Sequence, residues 1–270
     1  MYYFEDIEKG DYDCVVTYGS GQSNHCRIVA NLAASMQMEC KIISPEEDYK
    51  ETFNSKIFSI CGAETVFSPL SEVSKTIENT LSKLKNKNRN PYFIMGGGHG
   101  NLGTQAYVDC YSEISEYENK NNLVFDYIFL ASGTGTTQSG LVCGQKLQKH
   151  QNRKIVGISI ARNKDKGVPI ILGGINDYMS EMGKHENINN DDIIFIDDYI
   201  LGGYGKYNET ITDVIKKLII TSGIPFDTTY TGKAFNGMLR YLADHFIKNK
   251  NILFLHTGGT PLFFDDLAKF

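Results

Sequence analysis

Short apolar runs alternate with amphipathic stretches along most of the chain. The runs with the length and residue types of buried strands are 14–17, 40–43, 92–95, 127–131, 154–159, 192–196 and 252–256. The stretches with apolar residues at helical spacing are 22–36, 70–86, 102–116, 138–150, 208–221 and 232–249. Strands that alternate with helices are typical of parallel sheets covered by helices. The pattern therefore predicts an α/β protein with a doubly wound, parallel architecture.

Glycine-rich turns follow four of the predicted strands. They are Gly19-Ser-Gly21, Gly96-Gly-Gly-His-Gly100, Ser132-Gly-Thr-Gly135 and Thr257-Gly-Gly259. In open α/β sheets, ligands bind beyond the carboxyl ends of the strands. The four turns together predict one ligand site assembled from distant segments of the chain.

The first turn leads into a predicted helix that begins near Gln22. The backbone N–H groups and the positive end of such a helix favour an anion. Ser23, Asn24 and His25 add a hydroxyl, an amide and an imidazole at the same place. The segment is therefore a candidate anion site. A hydrogen-bonded residue at a helix start is the structural alternative for His25.

The strongest candidate anion site is the segment 131–140, which follows the apolar strand 127–130. Its glycines allow the backbone to curl, its hydroxyls are donors, and a helix begins near Gln138. This combination suits a phosphate monoester. It is not a nucleotide P-loop, because the Gly-Lys-Ser/Thr ending is absent, and the acidic residue of a dinucleotide site is absent too. A structural turn is the alternative.

Composition narrows the range of partners. Apolar residues at 41% and charged residues at 22% are ordinary for a globular protein, and a net charge of −5 gives no reason to expect nucleic acid or an anionic membrane. The sequence shows no signal-peptide pattern and no long apolar window. The six cysteines lack zinc-like spacing. We therefore expect reduced thiols, a cytoplasmic location and no metal site.

Five segments, in order, resemble the pyridoxal-phosphate enzymes of the tryptophan synthase β fold, specifically the D-cysteine desulfhydrase and aminocyclopropane-carboxylate deaminase family. They are Gln22-Ser-Asn-His-Cys-Arg27, Gly97-Gly98 with Leu102-Gly-Thr-Gln-Ala-Tyr-Val108, Ser132-Gly-Thr-Gly-Thr-Thr-Gln138, Tyr230-Thr-Gly-Lys233 and His256-Thr-Gly-Gly259. The resemblance extends over essentially the whole chain. It implies a two-lobed α/β fold of parallel sheets flanked by helices, with pyridoxal 5′-phosphate as cofactor.

The resemblance also implies a role for each matching residue. The residues that would bind the cofactor phosphate are Ser132, Gly133, Thr134, Gly135, Thr136 and Thr137. Ser23 and Asn24 would meet the substrate carboxylate and the phenolic edge of the cofactor, and Ser23 would also act on the substrate. Tyr230 would stack on the pyridine ring, and Tyr204 would reach the substrate, as would His25. A core position for Tyr230 and a loop position for Tyr204 are the structural alternatives.

Thr231 and His25 bear on which activity the resemblance favours. The deaminases carry a glutamate where Thr231 stands, which keeps the pyridine nitrogen protonated, and a glutamine where His25 stands. A threonine hydroxyl beside the ring cannot enforce that protonation, and a weaker electron sink suits β-elimination. The resemblance therefore implies a desulfhydrase-like lyase that acts on a small amino acid.

The Schiff-base lysine of the family has no matching position in this sequence. In the family it lies upstream of the serine that matches Ser23, and counting back from Ser23 runs past Met1. Lys9 lies in a predicted helix-to-strand turn, and Lys233 matches a lysine that the family already has beside its stacking tyrosine. Because such a lysine usually moves the proton at the substrate α-carbon, we expect the isolated chain to be inactive.

Three hypotheses account for this absence. The chain is the larger part of a split enzyme whose lysine comes from a separate polypeptide, or it is a non-catalytic regulatory protein that binds pyridoxal phosphate or an amino acid. In the third, it is the truncated product of a full-length lyase. The expected partners are a small amino acid and a second chain, in a homodimer or a hetero-oligomer.

The resemblance predicts two lobes. Residues 10–118 would form a small lobe with the Ser-Asn and glycine loops, and residues 119–270 a large lobe with the phosphate loop and the stacking tyrosine. Residues 1–9 would be a remnant of the family's N-terminal segment.

Overall fold

The computed structural model describes residues 2–47, 49–150, 152–184 and 188–270. The chain divides into two compact units, Met1–His99 and Gly100–Phe270. Each unit contains a parallel sheet flanked by helices, which confirms the predicted α/β class. Within the described ranges, no helix combines the length and apolar character that a membrane span requires.

The sheet of the first unit has the strand order β3-β2-β1-β4, and all pairs are parallel. Its elements are α1 (Tyr2–Lys9), β1 (Cys14–Tyr18), α2 (Asn24–Ser35), β2 (Glu39–Pro45), α3 (Phe53–Ile60), β3 (Glu64–Ser68), α4 (Val73–Asn86) and β4 (Pro91–Ile94). The strand order reverses between β1 and β4. The glycine turns that follow these two strands therefore lie at the switch point, where α/β sheets bind ligands.

Helix α1 belongs to the core of the first unit. Phe4 and Ile7 are buried in one apolar cluster with Val29 and Ala33 of α2. An amphipathic helix that buries its apolar face in this way is a packed element of the unit. The sequence pattern did not predict α3 or β3, because α3 is short and β3 is a half-exposed edge strand.

The sheet of the second unit has the order β7-β6-β5-β8, again all parallel. The elements are α5 (Asn101–Asn121), β5 (Tyr127–Ser132), α6 (Thr136–Leu147), β6 (Lys154–Ser159), α7 (Lys164–Glu181), β7 (Ile194–Ile196), α8 (Glu209–Ser222), α9 (Thr231–Asp244), β8 (Ile252–Leu255) and α10 (Thr260–Asp266). The strand order reverses between β5 and β8. Their following turns, 132–135 and 257–259, lie at this second switch point.

The boundary between the units lies at residues 99 and 100, not at 118 and 119 as predicted. Helix α5 packs with the second unit, because Val108, Tyr111 and Ile114 share a buried cluster with Leu141 of α6. The two helices approach so closely that a Cβ on Gly140 would lie 2.4 Å from the carbonyl oxygen of Thr104. The predicted boundary falls at the polar, exposed end of α5.

Candidate functional site

The segment 132–137 follows the carboxyl end of β5 and leads into α6. Gly135 has φ +94° and begins α6 with no side-chain cap. The N-terminal N–H groups of a helix have no intrahelical acceptor, so an anion can accept from them. Ser132 is 2% exposed, and its Oγ has no hydrogen-bond partner among the described residues. An orphaned buried hydroxyl beside an uncapped helix start fits a phosphate group.

Two residues at the end of β6 support this turn. The N–H of Ile160 donates to the carbonyl oxygen of Ser132 at 3.2 Å, which extends the β5–β6 ladder. The Arg162 guanidinium donates through Nη1 to the carbonyl oxygen of Gly133. Burial lowers the pKa of Arg162, but a guanidinium stays charged near neutral pH. Arg162 was not predicted as a site residue.

Tyr204 and Tyr230 lie together in the second unit. Their hydroxyls share a hydrogen bond, and their rings meet edge to face with centroids 5.7 Å apart. Tyr204 is 39% exposed and belongs to a loop in which Gly202, Gly203 and Gly205 all have positive φ. Backbone of this kind favours glycine, which explains the Gly-Gly-Tyr-Gly sequence.

Lys233 is fully buried and holds the Tyr204 loop. Its Nζ donates to the carbonyl oxygens of Ile160 at 3.0 Å, Ile200 at 3.1 Å and Gly203 at 2.8 Å. Burial lowers its pKa to about 8, against the raising effect of Asp227. All three ammonium hydrogens are used in these bonds. Lys233 is therefore a structural lysine.

Asp227 organises the start of α9, which carries Tyr230 and Thr231. Its buried carboxylate accepts from the N–H groups of Thr229 at 2.9 Å, Tyr230 at 2.6 Å and Thr231 at 3.1 Å. Burial raises the pKa of Asp227, and these bonds oppose that shift. Asp227 was not predicted as a site residue, although an aspartate just before a helix is a common capping signal.

The hydroxyl of Thr231 makes both of its hydrogen bonds with Asp227. It donates to Asp227 Oδ2 at 2.7 Å and accepts from the Asp227 N–H at 3.1 Å. Thr231 is also 1% exposed. In this arrangement its proton is not available to a ring nitrogen. The predicted position of Thr231 beside the cofactor ring remains a prediction.

Ser23 and Asn24 lie at the start of α2 in the first unit. Ser23 Oγ accepts from the N–H of Cys26 at 3.1 Å and so caps the helix, while its own hydroxyl proton is not used by that bond. Asn24 Oδ1 accepts from Asn54 Nδ2 at 2.9 Å. Because the oxygen of the Asn24 amide faces Asn54, its nitrogen points away from Asn54.

The orientation of Asn54 is itself fixed. Asn54 is fully buried, and its Oδ1 accepts from Arg27 Nε at 2.9 Å. Arginine can only donate, so the opposite Nδ2 must face Gln22 and Asn24, with Gln22 O at 3.0 Å. Arg27 and Asn54 were not predicted. The Thr52–Ser55 capping box at the start of α3 is the sequence signal that points to this helix.

His25 is bonded to the neighbouring strand. Its Nε2 lies 2.8 Å from Thr17 Oγ1, and Thr17 Oγ1 donates to the carbonyl oxygen of Ile94 at 2.8 Å. Burial lowers the pKa of His25 to about 4, so the imidazole is neutral near pH 7. The ring is thus a satisfied helix-start residue, and its substrate role remains a prediction.

The six cysteines are all free, and burial raises the thiol pKa values of Cys14, Cys26, Cys40 and Cys143 to about 12. Among the described residues, no group of three or more histidine, cysteine, aspartate or glutamate side chains has the arrangement of a metal site. The candidate ligand-binding groups are therefore the polar groups of the glycine turns and those at the starts of α2 and α9.

Comparisons with known proteins agree with this architecture. A family model described as pyridoxal-phosphate dependent enzyme matches residues 1–258. The D-cysteine desulfhydrases of Serratia proteamaculans and Yersinia enterocolitica are 29% and 28% identical to the chain, and each match covers 93% of this chain and 78% of the relative. A crystal structure of an ACC deaminase homologue superposes with a TM-score of 0.88 at 28% identity, over 99% of this chain and 80% of the other.

The protein has the fold of a pyridoxal-phosphate enzyme of the tryptophan synthase β type. It belongs to the family of pyridoxal-phosphate-dependent enzymes, and its relatives include D-cysteine desulfhydrases.

Proposed function

We propose that this protein binds pyridoxal 5′-phosphate and serves an α,β-elimination on a small amino acid, as a D-cysteine desulfhydrase does. The main support for this proposal is the turn 132–137. There the buried Ser132 Oγ has no hydrogen-bond partner among the described residues, and α6 begins without a side-chain cap. When bound, pyridoxal phosphate withdraws electrons from the substrate α-carbon. The names of the relatives support the choice of D-cysteine as first substrate.

The residues of the chain divide the remaining tasks. The N–H groups and hydroxyls of 132–137 would bind the phosphate, and Tyr230 would lie against the ring. The hydroxyl proton of Ser23 and the amide nitrogen of Asn24 would bind the substrate carboxylate. The hydrogen-bonded hydroxyls of Tyr204 and Tyr230 would give or accept a proton near the leaving sulfur.

The covalent attachment of the cofactor needs a lysine that is not committed elsewhere. Lys233 is fully buried and gives its hydrogens to three carbonyls, and Lys9 is an exposed residue at the end of α1. Neither of these two lysines is suited to that role, and we propose that the attaching lysine comes from outside residues 1–270. A separate polypeptide and a segment continuous with Met1 are both compatible with this proposal.

The test of the reaction is the release of pyruvate, ammonia and sulfide from D-cysteine by the protein supplied with pyridoxal phosphate and with the lysine-bearing segment of a relative. Ser23→Ala should lower the release because the carboxylate loses a donor. If neither D-cysteine nor another β-substituted amino acid yields a keto acid under these conditions, the lyase proposal fails.

A second candidate function is non-catalytic binding of pyridoxal phosphate or an amino acid. Because Lys233 Nζ donates to three carbonyl oxygens, residues 1–270 taken alone favour this non-catalytic function. Borohydride treatment separates the two candidates, because only a lysine-bound cofactor is fixed covalently. We expect the isolated chain to bind the cofactor reversibly, and a stable label on a single lysine would contradict that expectation.

A cytoplasmic location and an assembly with a second chain complete the proposal. The six free cysteines support a reducing compartment. Light scattering of the purified protein measures the assembly directly, and a mass equal to one chain would reject it.

A further inference from the structure

We infer that Arg162 is a positioning residue for the phosphate group of the cofactor, acting through the Gly133–Thr134 peptide. This inference rests on the proposed binding of pyridoxal phosphate. The observation is the hydrogen bond from Arg162 Nη1 to the carbonyl oxygen of Gly133, in the middle of the turn 132–137. The side chain reaches this carbonyl from the turn that follows β6.

The bond fixes the direction of the next N–H group. A trans peptide is planar, and its C=O and N–H point in opposite directions. Because Arg162 holds the carbonyl oxygen of Gly133 on one side, the N–H of Thr134 must point to the other side. Glycine at 133 would otherwise let this peptide rotate freely.

The position of Arg162 is itself determined by neighbouring contacts. Ser159 Oγ donates to the carbonyl oxygen of Arg162 at 2.7 Å, and Lys233 Nζ holds the carbonyl of Ile160 at 3.0 Å. A Cβ on Gly133 would lie 3.3 Å from Ile160 Cδ1, so the turn also packs against this segment. The guanidinium is thus placed by the fold rather than by the ligand.

Arg162 therefore has two effects on a bound phosphate. It aims one backbone donor, the Thr134 N–H, and it brings a permanent positive charge to the far side of the same peptide. Both effects act on the phosphate group and not on the pyridine ring. A role of this kind differs from general support of the fold, which would affect every part of the ligand alike.

The experiment compares pyridoxal 5′-phosphate with pyridoxal, which lacks the phosphate. Dissociation constants of both are measured by equilibrium dialysis for the wild type, Arg162→Met and Arg162→Lys. We expect Arg162→Met to weaken pyridoxal-phosphate binding by about tenfold or more, which is the size of one hydrogen bond to a charged group, and to leave pyridoxal binding unchanged. Arg162→Lys should recover part of the loss.

Arg240→Met is the matched control, because it removes an exposed arginine of the same unit and changes the net charge equally. Arg162→Gln, which keeps a neutral donor, decides the case if the methionine variant does not fold. Equal weakening of both ligands, or no weakening of either, would overturn the role of Arg162. If the wild type itself does not prefer pyridoxal phosphate to pyridoxal, the proposed function fails first, independently of any variant.

Discussion

Thr17 and His25 are joined by a hydrogen bond whose direction is fixed. The hydroxyl proton of Thr17 goes to the carbonyl oxygen of Ile94 at 2.8 Å, so Thr17 Oγ1 can only accept from His25 Nε2, also at 2.8 Å. The neutral ring therefore carries its proton on Nε2 and presents Nδ1 as an acceptor. A fully buried residue of β1 thus determines the protonation pattern of a candidate substrate-binding side chain.

Thr17→Val should remove the hydrogen bond that fixes the tautomer of His25. Valine keeps the shape and the apolar contacts of β1 but cannot accept from Nε2, so the ring will populate both tautomers and lose part of its fixed orientation. We expect a stability loss on the order of 1 kcal/mol or more and, in the protein supplied with the lysine-bearing segment, a higher KM for the substrate. Imidazole ¹⁵N shifts of labelled protein report the tautomer directly, and Thr17→Ser, which keeps the hydroxyl, is the control. An unchanged tautomer in the valine variant would contradict the assignment.

The Asn24 amide is oriented by a chain of donors that begins at Arg27. Asn54→Asp should reverse the last contact, because an aspartate still accepts from Arg27 Nε but has no donor for Asn24 Oδ1. Asn24 would then turn its nitrogen inward and present its oxygen to the substrate. In the protein supplied with the lysine-bearing segment we expect the substrate KM to rise by about tenfold, together with a loss of stability because the new carboxylate oxygen faces the carbonyl oxygen of Gln22. Asn54→Leu, which removes the contacts to Arg27, Gln22 and Asn24, should destabilise the protein further. A normal KM in the aspartate variant would show that Asn54 does not orient Asn24.

Sequence patterns predicted the parallel sheets, most helices and the glycine turns, because those features depend on local periodicity and on backbone conformations that only glycine adopts readily. The contacts that orient the candidate site were not predictable in this way. Asn54 reaches Asn24 across 30 residues, and the carbonyls bound by Lys233 lie 30, 33 and 73 residues away. Such partners are set by how strands pair, which a single sequence does not reveal.

Helix α7 was missed for a local reason. It contains Pro169 and the pair Gly173 and Gly174, residues that are unfavourable in helix interiors. Tertiary packing overrides this preference, since Ile171 and Ile175 of the same helix are buried in the core of the second unit. The unit boundary was misplaced because a polar helix end resembles a linker in sequence.

Lys233→Met should change the pH dependence of stability. The folded pKa of Lys233 is about 8, below the ordinary value of 10.5. Between these values the unfolded chain binds more protons than the folded one, so this lysine makes stability rise with pH from about 8 to 10.5, and it makes no difference to the slope below pH 8. The carboxylate of Asp227 favours the ammonium form of Lys233 and so opposes part of the effect of burial on its pKa.

The methionine variant lacks this rise. It also leaves three buried carbonyls without their donor, so we expect a stability loss on the order of 3 kcal/mol at pH 7 and faster hydrogen exchange in the Tyr204 loop. Urea midpoints at several pH values for wild type and variant measure the difference. A constant difference between pH 7 and 10 would show that Lys233 does not titrate in this range.

Gly135→Ala tests the proposed phosphate site in the turn 132–137 through its backbone. Gly135 has φ +94°, and a Cβ there would lie 2.9 Å from Ile171 Cγ1, so alanine meets both an unfavourable conformation and a close contact. We expect a stability loss of about 1–2 kcal/mol from the backbone alone and a marked loss of affinity for pyridoxal phosphate, because the first N–H groups of α6 move.

The matched control is Gly173→Ala, since a Cβ at that position of α7 meets nothing within 4 Å. That change should stabilise the protein by up to about 1 kcal/mol and leave cofactor binding unchanged. Calorimetric melting and titration with pyridoxal phosphate measure both quantities, and full affinity in the Gly135 variant would remove this turn as the phosphate site.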